Sequence, residues 1–387
     1  MAKKNYRTLI LMPYLPLEGR INFSGITLWS FKKSRKEFIK DLALSTHLDK
    51  LVSCYQFHNG KPIPNPTIIF IGKAGFSNPI AKSIAKIEAL KNILLFTCVT
   101  ENNSWSFVTS DNFEVFYQRF NVGNDNIATQ AGAIHRISTG GYKLGQITFA
   151  KPEHVNIPLR LRLKASILRA LEECLKHSAK ESSKSQIIQS LNPFFNAYRN
   201  SHEHSWASRI LLLIIAFELL FGKTGRNSFR RNIQKYSVYD SSIKLPTYSY
   251  PEIDTRTGKP FNDEDLTLNQ IWAEEFYKLR HRIIHGDTIY SDDFVFKDLL
   301  GIVKPTEPHF YIAINFFVVC LLNKLREISF KNVPHYVINP DLKGTLFTKT
   351  FSGIKNETFK IADLSLYDTL MTYTLEEGEL KKKNNQL

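Results

Sequence analysis

Two apolar runs, Ile210–Phe221 and Tyr311–Leu322, limit what this chain can become more than any other feature. Each falls short of the roughly 18 residues that a membrane-spanning helix requires. The first also carries a carboxylate, Glu218. Such segments must be covered by protein, so they predict buried helices of a bundle. Apolar residues at steps of three and four extend the pattern over Leu159–His177, Ser185–Tyr198, His204–Phe221, Leu266–His285 and Pro305–Ile328. The bundle is expected over residues 155–328, after a linker at Lys151–Pro158. Its insert, 223–263, is polar and rich in Tyr, Pro, Ser and Asp. The insert begins with a basic helix, Arg226–Tyr236, and continues as a loop, Asp240–Asn262.

Residues 1–150 read differently. Arg7–Met12 and Ile68–Gly72 are short apolar runs stopped by Pro13 and Gly72, as strands are. Ser34–Asp49 and Asn78–Leu95 have helical spacing, and Ser104–Phe149 breaks into aromatic and β-branched pieces split by turn residues, as hairpins do. This region is expected to be a mixed α/β sensor or regulatory domain. Residues 329–387 alternate at Thr345–Phe351 and Thr358–Ile361 and end in a lysine-rich run, giving a short β-containing C-terminal extension. The expected fold class is therefore α+β. With 387 residues and 43% hydrophobic content, the chain can bury more than one core. Its four cysteines, 54, 98, 174 and 320, include no close pair, which points to a reducing, cytoplasmic setting and to core packing. The apolar run at Leu9–Met12 is too short for a signal peptide, and no membrane association is expected.

The chemistry concentrates in Phe276–Asp287. Leu268, Trp272, Phe276, Leu279 and Ile283 form one apolar stripe, and Gly286 is a helix stop. The helix thus ends in Arg280, His281, Arg282 and His285. Histidine changes charge near neutral pH and arginine does not, a pairing suited to acid–base work on a phosphodiester. His285 is the expected acid–base, Arg280 the fork that stabilises the phosphate, and His281 an orienting or proton-sharing group. Glu218, in its apolar helix, needs a partner; Arg280 or His281 would serve, and a solvent-facing position is the alternative. The formal net charge of +15 favours a polyanionic partner, nucleic acid first. Arg282, Arg226, Arg230, Arg231 and Lys235 are candidate RNA contacts, with Phe229 and Tyr236 placed to stack a base. Three duller readings compete. Arg280 and His285 could merely complement their helix terminus. His281 and His285 have the spacing of helical zinc ligands, but Arg282 stands where a metalloprotease glutamate would be. Gly222-Lys223-Thr224 resembles the end of a phosphate-binding loop, but Phe217 occupies the required glycine position. No metal and no cofactor are expected.

Arg280-His281-x3-His285 resembles the Arg-(polar)-x3-His signature of the HEPN superfamily. The helix Trp206–Phe221 with its Glu-Leu-Leu-Phe ending, and the ending Arg-x-x-Ile-x-His-Gly, are similar to the Apea-like branch. The resemblance covers Pro158–Glu327. It implies a HEPN-like bundle and metal-independent endoribonuclease activity, with attack by the 2′-hydroxyl leaving 2′,3′-cyclic phosphate ends. It also implies a homodimer or higher assembly that brings two motifs round one phosphate. By analogy the role is bacterial antiphage defence, abortive infection or toxicity, with the N-terminal part sensing a phage-derived or nucleotide trigger. A non-catalytic RNA-binding or regulatory module is the alternative.

Overall fold

The computed structural model describes residues 7–17, 19–38, 42–57, 59–63, 65–72, 80–101, 109–121, 124–131, 137–143, 149–150, 163–199, 204–237, 268–297, 305–333, 348–350 and 358–360. The chain divides into two compact units, Met1–Lys176 with Tyr198–Glu203, and His177–Ala197 with His204–Leu387.

The first unit is built on a seven-stranded antiparallel sheet. Its strands are β1 (Arg7–Met12), β2 (Arg20–Phe23), β3 (Ile26–Ser30), β5 (Thr67–Ile71), β6 (Phe116–Asn121), β7 (Asn124–Ala131) and β8 (Ile137–Lys143), in the order β2-β3-β5-β1-β6-β7-β8. β1 is central: Ile10 sits opposite Ile69 on one side and Tyr117 on the other. Leu9 through Met12 are all buried, so both faces of this strand are covered, which explains its unbroken apolar run. Helices α1 (Phe31–Phe38) and α2 (Leu42–Ser53) replace the single helical stretch expected over Ser34–Asp49. Leu44, Leu48 and Leu51 of α2 join Leu9, Leu11, Trp29 and Phe70 in one core cluster. A short parallel pair, β4 (Tyr55–Gln56) with β9 (Phe149–Ala150), and a long helix, α3 (Ala81–Glu101), complete the sheet region.

The β2–β3 hairpin turns at Ser24-Gly25, both at positive φ (46° and 83°), the conformation that matches strand twist in a two-residue turn. Its tip is tied to α4 (Ala165–His177): the Ser24 amide and hydroxyl donate to Glu172 Oε1 at 2.7 and 3.3 Å. Most of α4 therefore belongs to the sheet unit, whereas the sequence reading places it in the bundle that begins at 155.

The second unit is helical: α5 (Ser182–Ala197), α6 (Trp206–Phe221), α7 (Arg226–Ser237), α8 (Leu268–His285) and α9 (His309–Glu327). Stacked and edge-on rings fill its centre. Phe194 lies 4.6 Å from Phe317, Trp272 lies 4.5 Å from Phe316, and Phe229 meets Phe217 edge-on at 5.3 Å. Each such pair contributes about 0.5–1.5 kcal/mol beyond the area it buries. The stretch Pro305–Pro308, expected to be helical, is instead β11 and pairs antiparallel with β10 (Val295–Lys297). Pro308 disfavours helix at Glu307, so α9 starts only at His309. In the C-terminal extension β12 (Thr348–Thr350) pairs antiparallel with β13 (Thr358–Lys360), as the alternation there implies. The loop expected over Asp240–Asn262 lies outside the described residues. No helix among the described residues is long and apolar enough to cross a membrane.

Gly222 ends α6 in the left-handed conformation, φ 65°, with its N–H on the Glu218 carbonyl at 2.9 Å. A Cβ there would lie 2.1 Å from Gln186 Nε2. Gln186 in turn accepts from buried Lys324, whose ammonium also donates to the Leu220 carbonyl. Gly222→Ala is expected to destabilise the protein by about 1–3 kcal/mol, visible as a lower denaturation midpoint. His309 is buried, and burial pushes its imidazole down to about 3. The folded state then holds it neutral while the unfolded chain takes up a proton below about 6.5. Stability is therefore expected to fall as pH drops from about 7 toward 4, by up to about 1.4 kcal/mol per pH unit from this residue. Urea midpoints across that range should show a shallower slope in His309→Leu.

Candidate active site

The last turn of α8 carries the site, and its apolar stripe sets the helix's rotation. Trp272, Phe276 and Leu279 are buried, which leaves His281 and His285 exposed on the opposite arc. The helix stops in the double hydrogen bond of a glycine terminus. Gly286, φ 75°, donates to the Ile283 carbonyl and Asp287 donates to that of Arg282 at 3.0 Å. The two imidazoles, one turn apart, lie with ring centroids 4.0 Å from each other.

Arg280 points to α6 instead. Its guanidinium lies 3.7 Å from Glu218 Oε1 and 5.1 Å from the centre of the Tyr277 ring. Tyr277 donates its hydroxyl to the same Glu218 oxygen at 2.9 Å and accepts the Gly225 N–H at 3.0 Å. Burial first, then the hydrogen bond to the Glu218 carboxylate, raises the Tyr277 phenol above its ordinary value and keeps it a donor. Of the partners expected for Glu218, the structure selects Arg280 over His281. Tyr277 escaped the sequence reading, although its place three residues before Arg280 puts both on one helical face.

Arg282 is partly exposed and turns to the segment that follows the helix. It forks onto Asp293 at 2.7 and 3.0 Å and donates to the Thr288 carbonyl at 2.9 Å, latching the segment after the helix. Its two terminal nitrogens are engaged by protein acceptors, so Arg282 clamps this segment. The insert cations divide in the same way. Arg230 is buried 3.4 Å from Glu274, and Arg226 reaches the same carboxylate at 3.0 Å. Lys235 donates to Glu327 at 2.6 Å and to the Tyr236 hydroxyl at 3.1 Å. Tyr236 is buried against Phe221 and Phe229 lies in the core, so neither ring is available to stack a base. Arg231 is exposed.

One flank of α6 continues from the site as an apolar surface. Leu211, Leu212 and Leu219 are half-buried and Ile215 is 44% exposed, while Ile284 of α8 is 52% exposed. Among the described residues, no group of three or more metal-ligating side chains includes His281 and His285. Compared with protein-family models, curated proteins and solved structures, the chain has no match.

The two kinds of ion pair around α7 predict different costs. Glu274 and Arg230 side chains are both 10% exposed, so Glu274→Ala removes a carboxylate from a buried guanidinium and from Arg226 at the cavity wall. It is expected to cost about 3–5 kcal/mol. Lys235 is 56% exposed, and Lys235→Ala is expected to cost less than about 1 kcal/mol. Chemical denaturation of both variants reads the contrast.

Proposed function

We propose that this chain is a metal-independent endoribonuclease of the HEPN type, acting as a homodimer or larger assembly. The observation that carries the reading is the last turn of α8. Two exposed imidazoles stand side by side, with an arginine on the same turn held in place by Glu218 and Tyr277. This is the residue set named by the motif resemblance, and the histidines remain open to solvent.

The reaction needs only groups that such a site offers. One imidazole removes the proton of the ribose 2′-hydroxyl, and the oxygen attacks the adjacent phosphorus. The bond from phosphorus to the 5′-oxygen breaks as a second group, an imidazolium from the start, gives its proton to the leaving oxygen, while the first imidazole ends protonated. The products are a 2′,3′-cyclic phosphate and a 5′-hydroxyl. Arg280 stabilises the charge that grows on the non-bridging oxygens. Its contact with Glu218 is loose at 3.7 Å, and the guanidinium's other nitrogens can turn to a phosphate. The apolar flank of α6 beside Glu218 supports pairing with a second copy, which would bring two Arg280/His285 sets round one linkage. The net charge of +15 supports RNA as the polyanion. The analogy to antiphage, abortive-infection or toxin effectors, cytoplasmic and triggered through the N-terminal unit, rests on the motif resemblance.

Labelled RNA incubated with the full chain in EDTA tests this. Cleavage is expected from the unaltered protein. His285→Ala should reduce the rate by about 10²–10⁴-fold and Arg280→Ala by about 10²–10³-fold. Glu218→Gln should lie between these and the unaltered protein. RNA binding with no cleavage by any form would mark a binding module, and activity lost only on adding EDTA would mark a metal enzyme.

A further inference from the structure

A cavity of about 660 Å3 opens beside α7, within the roughly 300–1,000 Å3 span of pockets that hold ligands. Its cationic lining is Lys223, Arg226 and Arg231; its neutral lining includes Asn227, Ser228 and Asn232. Asn227 with Arg231, and Ser228 with Asn232, are four apart. The floor is thus one side of the helix over two turns, made of amides, a hydroxyl and a guanidinium. These are the groups that hold nucleic-acid phosphates and sugars.

The charge balance of the lining points the same way. Its one carboxylate, Glu274, is already engaged by Arg226 and by Arg230 behind it. Lys223 and Arg231 are exposed and make no ion pair with another described residue. Two positive charges therefore line an open cavity whose one carboxylate among the described residues is already engaged. The cavity is also wired to the site. Gly225 lines it and donates its N–H to Tyr277, Tyr277 donates to Glu218, and Glu218 pairs with Arg280.

We infer that this cavity seats a phosphate and ribose of single-stranded RNA flanking the linkage held at Arg280, with Lys223 and Arg231 as the phosphate contacts. The inference rests on the reading of the chain as an RNA-acting protein and names a part of the substrate path beyond the motif. Of the α7 cations expected to touch RNA it keeps Arg231, adds Lys223, and sets aside the internally paired Arg226, Arg230 and Lys235. Tyr277 becomes a positioning residue, since it joins the cavity wall to the arginine.

The test is fluorescence anisotropy of the full chain with a fluorescein-labelled 2′-O-methyl RNA oligonucleotide, which cannot be cut, over a series of salt concentrations. Lys223→Gln/Arg231→Gln is expected to weaken binding by about tenfold or more. It should also flatten the slope of log affinity against log salt by about 1.4, two contacts at roughly 0.7 each. Titrations of the double variant that superimpose on the unaltered protein, an unchanged salt slope, or no binding by the unaltered protein would each overturn the inference. The two readings separate cleanly. If the unaltered protein cuts RNA while the double variant binds normally, the cavity assignment fails and the nuclease reading stands. If affinity and slope fall but nothing is cut, the cavity assignment stands and the nuclease reading fails.

Discussion

The carboxylate of Glu218 organises the helical unit. It sits near the end of a helix that is apolar from Ile210 onward but for this residue, with its side chain only 12% exposed. A charge placed there must be met by donors. Tyr277 and Arg280, three apart on α8, meet it together. That cross-tie agrees with the rotation the apolar stripe demands: Trp272, Phe276 and Leu279 turn inward, and His281 and His285 turn out. The buried charge and the hydrophobic seam thus impose one orientation on the helix, and it is the one that exposes the imidazoles.

A strong positive charge raises the question of where the cations go. Within the helical unit many are taken by internal acceptors. Arg226 and Arg230 share Glu274, Arg282 grips Asp293, Lys235 meets Glu327, and buried Lys324 meets a helix-end carbonyl. Burial lowers the Lys324 ammonium below its ordinary value, which marks it as a structural group. Lys223 and Arg231 are left exposed along the cavity beside α7. A surface field aimed at a polyanion therefore comes from a few placed residues, whatever the total.

Helix positions were legible in the sequence because a 3.6-residue period survives in any window long enough to bury one face. The basic helix at Arg226, the stop at Gly286 and the closing helix after Pro308 all follow from local signals. The Pro305–Pro308 strand was missed although its two prolines argue against a helix start at 305. The order of the seven-stranded sheet was not legible, since β1 pairs with strands more than fifty and a hundred residues away and local pattern says nothing of such partners. The same holds for the cations. Arg282 and Asp293 are eleven apart and Arg230 and Glu274 forty-four, so both arginines looked free. Tyr277 is the one site residue that spacing could have disclosed.

In the proposed reaction the exposed imidazoles of α8 activate a ribose 2′-hydroxyl, so the decisive measurement removes that hydroxyl. An oligoribonucleotide cut by the full chain is remade with a single 2′-deoxyribose at the cleaved linkage, and DNA of the same sequence serves as a companion. Neither is expected to be cut at that linkage, and fragments of the all-ribose strand are expected to end in a cyclic phosphate. Equal cutting of the deoxy-substituted strand, or fragments carrying a 5′-phosphate, would contradict the proposed reaction.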